Sequence, residues 1–323
     1  MTACESPNNL AFTCNIGIHT IVDRHTHIGV DVGLVAVRCA WDAGCLLGEG
    51  PVWDARTRAV HFVDLKGGAV HSWSLDGGHR TWQLDGIVSA LALTEAPDAI
   101  LCATSRGFEC LSLETGARTL ISRPLPMADG MRTNDGGCDA QGNFWIGTMD
   151  DAERSFAGTL YRISFGQEPV TKLEGVGVSN GLGWSPDGSM FYFTDSLRRS
   201  IYRFDCDVAS GTLGEKTLFA ELTDGEGAPD GLTVDAEGHV WSAIWDGWRI
   251  IRYDPDGRID QVVEMPVPRP TSLAFGGPDL ATLYITTARI GLADEVLRAA
   301  PLSGALLALE PGVRGLAASR VQL

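Results

Sequence analysis

Short apolar runs, separated by turns rich in glycine, aspartate and proline, recur along this chain in a repeating order. The turns read DARTR at 54–58, EAPDA at 95–99, DAQGN at 139–143, SPDGS at 185–189, DAEGH at 235–239 and GPDLA at 277–281. Each is followed by a strand-like run: AVHFVD, AILCAT, NFWIGTM, MFYFTDS, HVWSAI and TLYITTA. After a gap comes a second: VHSWSL, GFECLSL, GTLYRIS, SIYRFDC, RIIRYDP and GALLALE. A third short run of small or apolar residues precedes each turn: GPVW, ALAL, GGCD, GLGW, GLTV and LAFG. Runs this short, bounded by turn residues, read as strands. The residue five or six before each turn marks the register. These anchors are Glu49, Ser89, Asn134, Asn180, Asp230 and Ser272, spaced by 40, 45, 46, 50 and 42 residues. Six units of about 45 residues, each with three or four strands, predict an all-β, six-bladed β-propeller. The run LVAVRCAW at 34–41 precedes the first unit. It is predicted to pair as the outermost strand of the last blade, closing the ring and removing its edge.

Residues 1–33 lack this periodicity and read as an irregular extension, so the propeller domain is assigned to 34–323. The extension holds His25 and His27, a weak candidate metal pair. It lacks a basic start followed by an apolar core, which points to a cytoplasmic protein. The 39 glycines among 323 residues suit a fold with many tight turns. The net charge of −16, from 41 acidic and 25 basic residues, argues against nucleic acid or an anionic membrane surface as partner. No apolar run reaches the ~18 residues needed to span a bilayer. Eight cysteines form no C-x-x-C pair, and Cys102, Cys110, Cys138 and Cys206 read as small buried hydrophobes.

The first strand of each propeller blade lines the central channel, so equivalent positions ring one point on the axis. Four anchors are polar and closely followed by glycine: Glu49, Asn134, Asn180 and Asp230. Two carboxylates and two amide oxygens suit a hard cation such as Ca²⁺, and would also hold Mg²⁺, Mn²⁺, Zn²⁺ or Fe²⁺. Glycine after each ligand leaves room for the chain to turn at the mouth. The alternative is that these side chains cap strand starts through nearby backbone. Arg132, two residues before Asn134, can reach the same mouth, where Met149, Asp150 and Asp151 are also expected. Trp245 and Trp248 are candidate pocket walls, and Asp64 and Asp195 read as turn-holding groups. His61, His71 and the remaining histidines show no partner pattern. Neither a G-x-S-x-G elbow nor a phosphate-binding glycine loop is present.

Four segments carry a family resemblance: LGEGPVW at 47–53, RTNDGGCDAQGNFWIGTMD at 132–150, SNGLGWSPDG at 179–188 and PDGLTVDAEGHVW at 229–241. Together they resemble the senescence-marker-protein/gluconolactonase/luciferin-regenerating family, which includes regucalcin. The segment AFGGPDLATLYITTARIGL at 274–292 is similar to its bacterial sugar lactonase branch. The resemblance implies a six-bladed propeller with one divalent cation at the channel mouth, held by Glu49, Asn180 and Asp230. It implies Arg132 and Asn134 as substrate contacts and Asp230 as general base. Where regucalcin carries a substrate-facing glutamate, this chain reads Met149-Asp150-Asp151-Ala152, so that contact is not transferred.

The expected reaction is hydrolysis of a sugar lactone, such as a glucono-, xylono- or arabinolactone, to the aldonic acid. The cation would polarise the carbonyl, and Asp230 or the metal would activate water. Rival readings are a non-catalytic calcium-binding regulator of regucalcin type, a broader esterase at the same metal, and a propeller scaffold for protein partners. The last would show a large exposed apolar patch. A monomer or weak dimer acting on a small molecule is expected.

Overall fold

The computed structural model describes residues 36–323; the predicted extension, with His25 and His27, lies outside them. Six sheets, four of four strands and two of five, follow one another around a channel, and their strands pair antiparallel except at one added C-terminal strand. Blade I comprises Gly48–Asp54, Ala59–Asp64, Ala69–Ser74 and His79–Gln83, and blade II begins with Val88–Thr94. Blades III, IV and V begin with Met131–Cys138, Ser179–Trp184 and Ala228–Val234. Blade VI runs Pro270–Gly276, Thr282–Thr287 and Leu306–Leu309, and its outermost strand is Arg38–Trp41 from the other end of the chain. That closure is the predicted one. Arg38 pairs with Ala308 and Cys39 with Leu307, so blade VI presents no unpaired edge there. Trp41 then stacks on His79 and meets Phe62 and His71 edge-on, fastening blade VI to blade I.

The core lies between blades, in clusters that each draw on neighbouring sheets. One joins Trp241 and Ile250 of blade V to Leu273, Leu283 and Leu307 of blade VI. The predicted turns are hairpins, and two carry more. Asp139 accepts from Gln141 N, Asn143 N, Trp145 Nε1 and Arg162 Nε. Asp235 repeats the pattern in blade V with Glu237, His239, Trp241 and Arg252. A charged group buried in a turn is thus satisfied by its own hairpin. The large exposed apolar residues include Leu120, Val170, Leu218 and Ile259. These four lie on the outermost strands of four different blades.

One feature had no counterpart in the repeat. After blade VI the chain crosses the channel on the face away from the anchors. Ala236 N donates to Arg314 O, and Gly315 N to Leu280 O. Arg320–Val321 then adds in parallel to the inner strand of blade II, and Gln322 N reaches Gly142 O in blade III. Leu316, Ala317, Ala318 and Ser319 floor a channel cavity of about 510 Å³. The single α-helix among the described residues is Asp294–Ala299, and no described helix is long and apolar enough to cross a membrane.

His61, on the second strand of blade I, is buried with neither ring nitrogen partnered. Burial pushes its pKa down from 6.5 to about 4. The folded protein therefore binds fewer protons than the unfolded chain below pH 6.5, and stability falls as pH drops from 6.5 through 4. The loss by pH 4 is about 3 kcal/mol. A Tm series over that range should show a shallower acid-side decline in His61→Leu than in the native protein; parallel curves would rule out this role.

Candidate functional site

In all six blades, pairing between the innermost strand and the next one slips at or beside the anchor. The shifts fall between Glu49 and Val52, Val88 and Ala90, and Thr133 and Gly136. They recur between Asn180 and Leu182, Pro229 and Leu232, and Pro270 and Ser272. A bulge re-aims side chains out of the strict alternation of a strand. Repeated six times at one depth, it turns the anchors toward the axis.

Glycine serves these anchors in a way different from the expected turn. Gly50 alone of the four following glycines has a left-handed φ, +51°. Gly181 is required by close approach: a Cβ there would lie 2.7 Å from the Asp230 carbonyl oxygen and 2.6 Å from Thr194 Oγ1. Gly231 faces Ser272 of blade VI in the same way. Small residues here let the inner strands of blades IV, V and VI approach one another closely.

Glu49, Asn134, Asn180 and Asp230 are all buried. Asn134 Nδ2 donates to Asn180 Oδ1 at 2.7 Å and to Ser179 O at 2.8 Å, joining blades III and IV. Asn134 Oδ1 accepts from Arg132 Nη1, so the oxygen of this amide faces the arginine and not the other anchors. Asp230 Oδ1 is buried without any partner. Ser89 and Ser272, the other two anchors, bring no charge. Ser89 Oγ is 2.8 Å from Thr133 Oγ1 and stitches blade II to blade III.

A third carboxylate, Asp135, stands near enough to raise both Glu49 and Asp230, and the register had not singled it out. Asp135 occupies the same bulge as Asn134 and lines the channel cavity. Burial pushes its pKa up to about 6. Glu49 is held well above the usual carboxylate range by burial, and then by the charges of Asp230 and Asp135. Asp230 is raised likewise by burial, and then by Asp135 and Glu153. Buried like charges resist ionising together unless a cation joins them.

At the rim, Asp151 accepts from Arg132 Nε at 2.5 Å and from Lys66 Nζ at 2.6 Å, linking blade III to blade I. Of the three residues expected at the mouth, only Asp151 takes part. Met149 is fully buried, and Asp150 accepts from the backbone of Ala152 and Arg154. Trp245 is half-buried with Arg269 over its ring, whereas Trp248 is exposed. Asp64 holds the backbone N–H groups of Leu46, Leu47 and Gly67, and Asp195 those of Gly177 and Val178. Both are the turn-holding groups expected. Asp64 also lies near Cys45 and His71, but its oxygens are committed to three amides, and His71 Nδ1 to Thr81 Oγ1. Cys102 is fully buried, while Cys110, Cys138 and Cys206 are half-buried; no described cysteine is in a disulfide.

Comparison with known proteins agrees with the fold. The SMP-30/Gluconolactonase/LRE-like region matches residues 47–289. The chain is 37% identical over 279 residues to an L-arabinolactonase of Azospirillum brasilense, covering 85% of this chain and 91% of that one. It is 33% identical over 290 residues to regucalcin of Gallus gallus, covering 87% and 97%. The crystal structure of a calcium-binding protein, regucalcin, from Agrobacterium tumefaciens superposes with a TM-score of 0.85 at 31% identity, covering 90% and 98%. With its six blades, its closing strand and this matched region, the chain belongs to the SMP-30/gluconolactonase/LRE-like family.

Proposed function

We propose that the protein hydrolyses a sugar lactone to the aldonic acid, using one divalent cation held by Glu49, Asn180 and Asp230. The observation that carries this is the buried, unpartnered Asp230 Oδ1 beside Glu49 and Asp135, at the end of a channel in a chain akin to an arabinolactonase. The residues fit such an ion: the donors are all oxygen, they come from blades I, IV and V, and their charges repel without it. When bound, the cation polarises the lactone carbonyl and offsets charge developing on its oxygen.

The chain's own groups do the rest. Arg132, fixed by Asp151 and by Asn134, presents its guanidinium beside the anchors and orients the sugar hydroxyls. Asn134 spends both Nδ2 hydrogens on Ser179 O and Asn180 Oδ1, so its contact with a sugar hydroxyl is through Oδ1, beside Arg132. Asp230 accepts a proton from the water that adds to the carbonyl carbon and returns it to the ring oxygen as the acyl C–O bond breaks, leaving the acid and a free hydroxyl. Burial of the anchors limits competing water and strengthens each of these contacts. The channel cavity is lined by Asp135 and, from the C-terminal segment, by residues 316–319.

Release of acid from five- and six-carbon aldonolactones in a pH-stat tests the reading. Turnover should vanish with chelator and return on adding back Ca²⁺, Zn²⁺, Mn²⁺ or Mg²⁺. Undiminished turnover after verified ion removal would contradict it. The name regucalcin favours a second reading, calcium binding without catalysis. Tight Ca²⁺ binding with no turnover of any lactone, ester or organophosphate would decide for it.

A further inference from the structure

Asn180 can serve a cation only through Oδ1, and an amide has a wrong end. A flip would aim its NH₂ group, a donor, at the site. The surroundings of Asn180 settle its orientation. Asn180 Nδ2 donates to Ser196 Oγ at 2.9 Å, and Ser196 Oγ donates to Pro229 O at 2.6 Å. A serine hydroxyl has one proton, and a carbonyl oxygen can only accept. The Ser196 proton is therefore committed to Pro229, and toward Asn180 the hydroxyl can only accept. Asn180 must offer its NH₂ group there, which leaves Oδ1 pointing inward, where Asn134 Nδ2 also reaches it.

Ser196 is well placed for this. It follows Asp195, whose carboxylate holds the start of blade IV through Gly177 N and Val178 N. Pro229 immediately precedes Asp230. One hydroxyl thus ties the amide on blade IV to the backbone that carries the carboxylate on blade V.

We propose that Ser196 is a positioning residue that locks the Asn180 amide with its oxygen toward the cation. The proposal rests on Asn180 being an ion ligand. Partners behind a metal ligand are worth about 10–100-fold in affinity.

Calorimetric titration of the chelator-treated full chain with Ca²⁺ is the test. Ser196→Ala should weaken binding by about 10–100-fold. Ser196→Thr should stay near the native affinity, and activity at saturating Ca²⁺ should largely recover in Ser196→Ala. In an Asn180→Asp background the penalty should disappear, because a carboxylate has no wrong end to mis-aim. Ser196→Thr and Ser196→Val, alike in shape, isolate the hydroxyl if the alanine variant does not fold. Native affinity in Ser196→Ala, with binding lost in Asn180→Ala, would overturn the lock while leaving the cation site intact. An equal penalty in both backgrounds would also overturn it, since that reports general loop damage. Unchanged binding in Asn180→Ala would instead overturn the ligand assignment itself.

Discussion

Asp230→Asn is expected to lower kcat/KM for the lactone by at least about 10³-fold while raising the Tm of the ion-free protein by about 2–5 °C. Both effects come from one carboxylate. It is the free acceptor at the site, so removing it takes away an ion ligand and the base. It is also one of three buried carboxylates whose mutual repulsion destabilises the ion-free fold. The sign of the pH dependence follows. A carboxyl group whose pKa is raised by folding keeps a proton that the unfolded chain releases. Stability of the ion-free protein therefore falls as pH rises from the ordinary carboxylate range toward the raised pKa values. The substitution should flatten that decline in a Tm series without ion. An inactive variant with an unchanged or lower Tm would mean that the three carboxylates are not in electrostatic conflict. Native activity would remove Asp230 from the chemistry.

The second large effect concerns closure of the ring. Deleting residues 1–41 should lower Tm by about 5–10 °C and cause aggregation, because it uncovers the edge of Leu306–Leu309 and strips away Trp41. Deleting only residues 1–33 should leave Tm within about 1 °C, as expected if the propeller domain begins at residue 34. Thermal melts of both forms check the pair. Equal melting temperatures for the two truncations would mean that the Arg38–Trp41 strand does not hold the ring.

The six blades were legible because hairpin turns punctuate the chain at nearly even spacing, and strand runs follow them in fixed order. That register also located Glu49, Asn134, Asn180 and Asp230, four residues that no local motif connects. It could not find Asp135. Simple alternation places it opposite Asn134, and only the bulge turns both toward the axis. It assigned the wrong duty to Gly181 and Gly231, since close approach of a neighbouring blade is a property of the closed ring. Ser196 escaped notice behind Asp195, whose turn-holding role accounted for that corner. The contact of Lys66 with Asp151 joins residues 85 positions apart, and nothing in either local sequence announces it. The tail beneath the channel was illegible for a plainer reason. Arg320–Val321 pairs over two residues only, too short a run to show a period.

The most direct test of a shared cation site is calcium titration of the chelator-treated protein, with lactone turnover followed in the same samples. One ion per chain is expected, with activity returning in proportion to occupancy, and both should be lost in Glu49→Ala. Full turnover before any ion is added, or undiminished binding in Glu49→Ala, would contradict it.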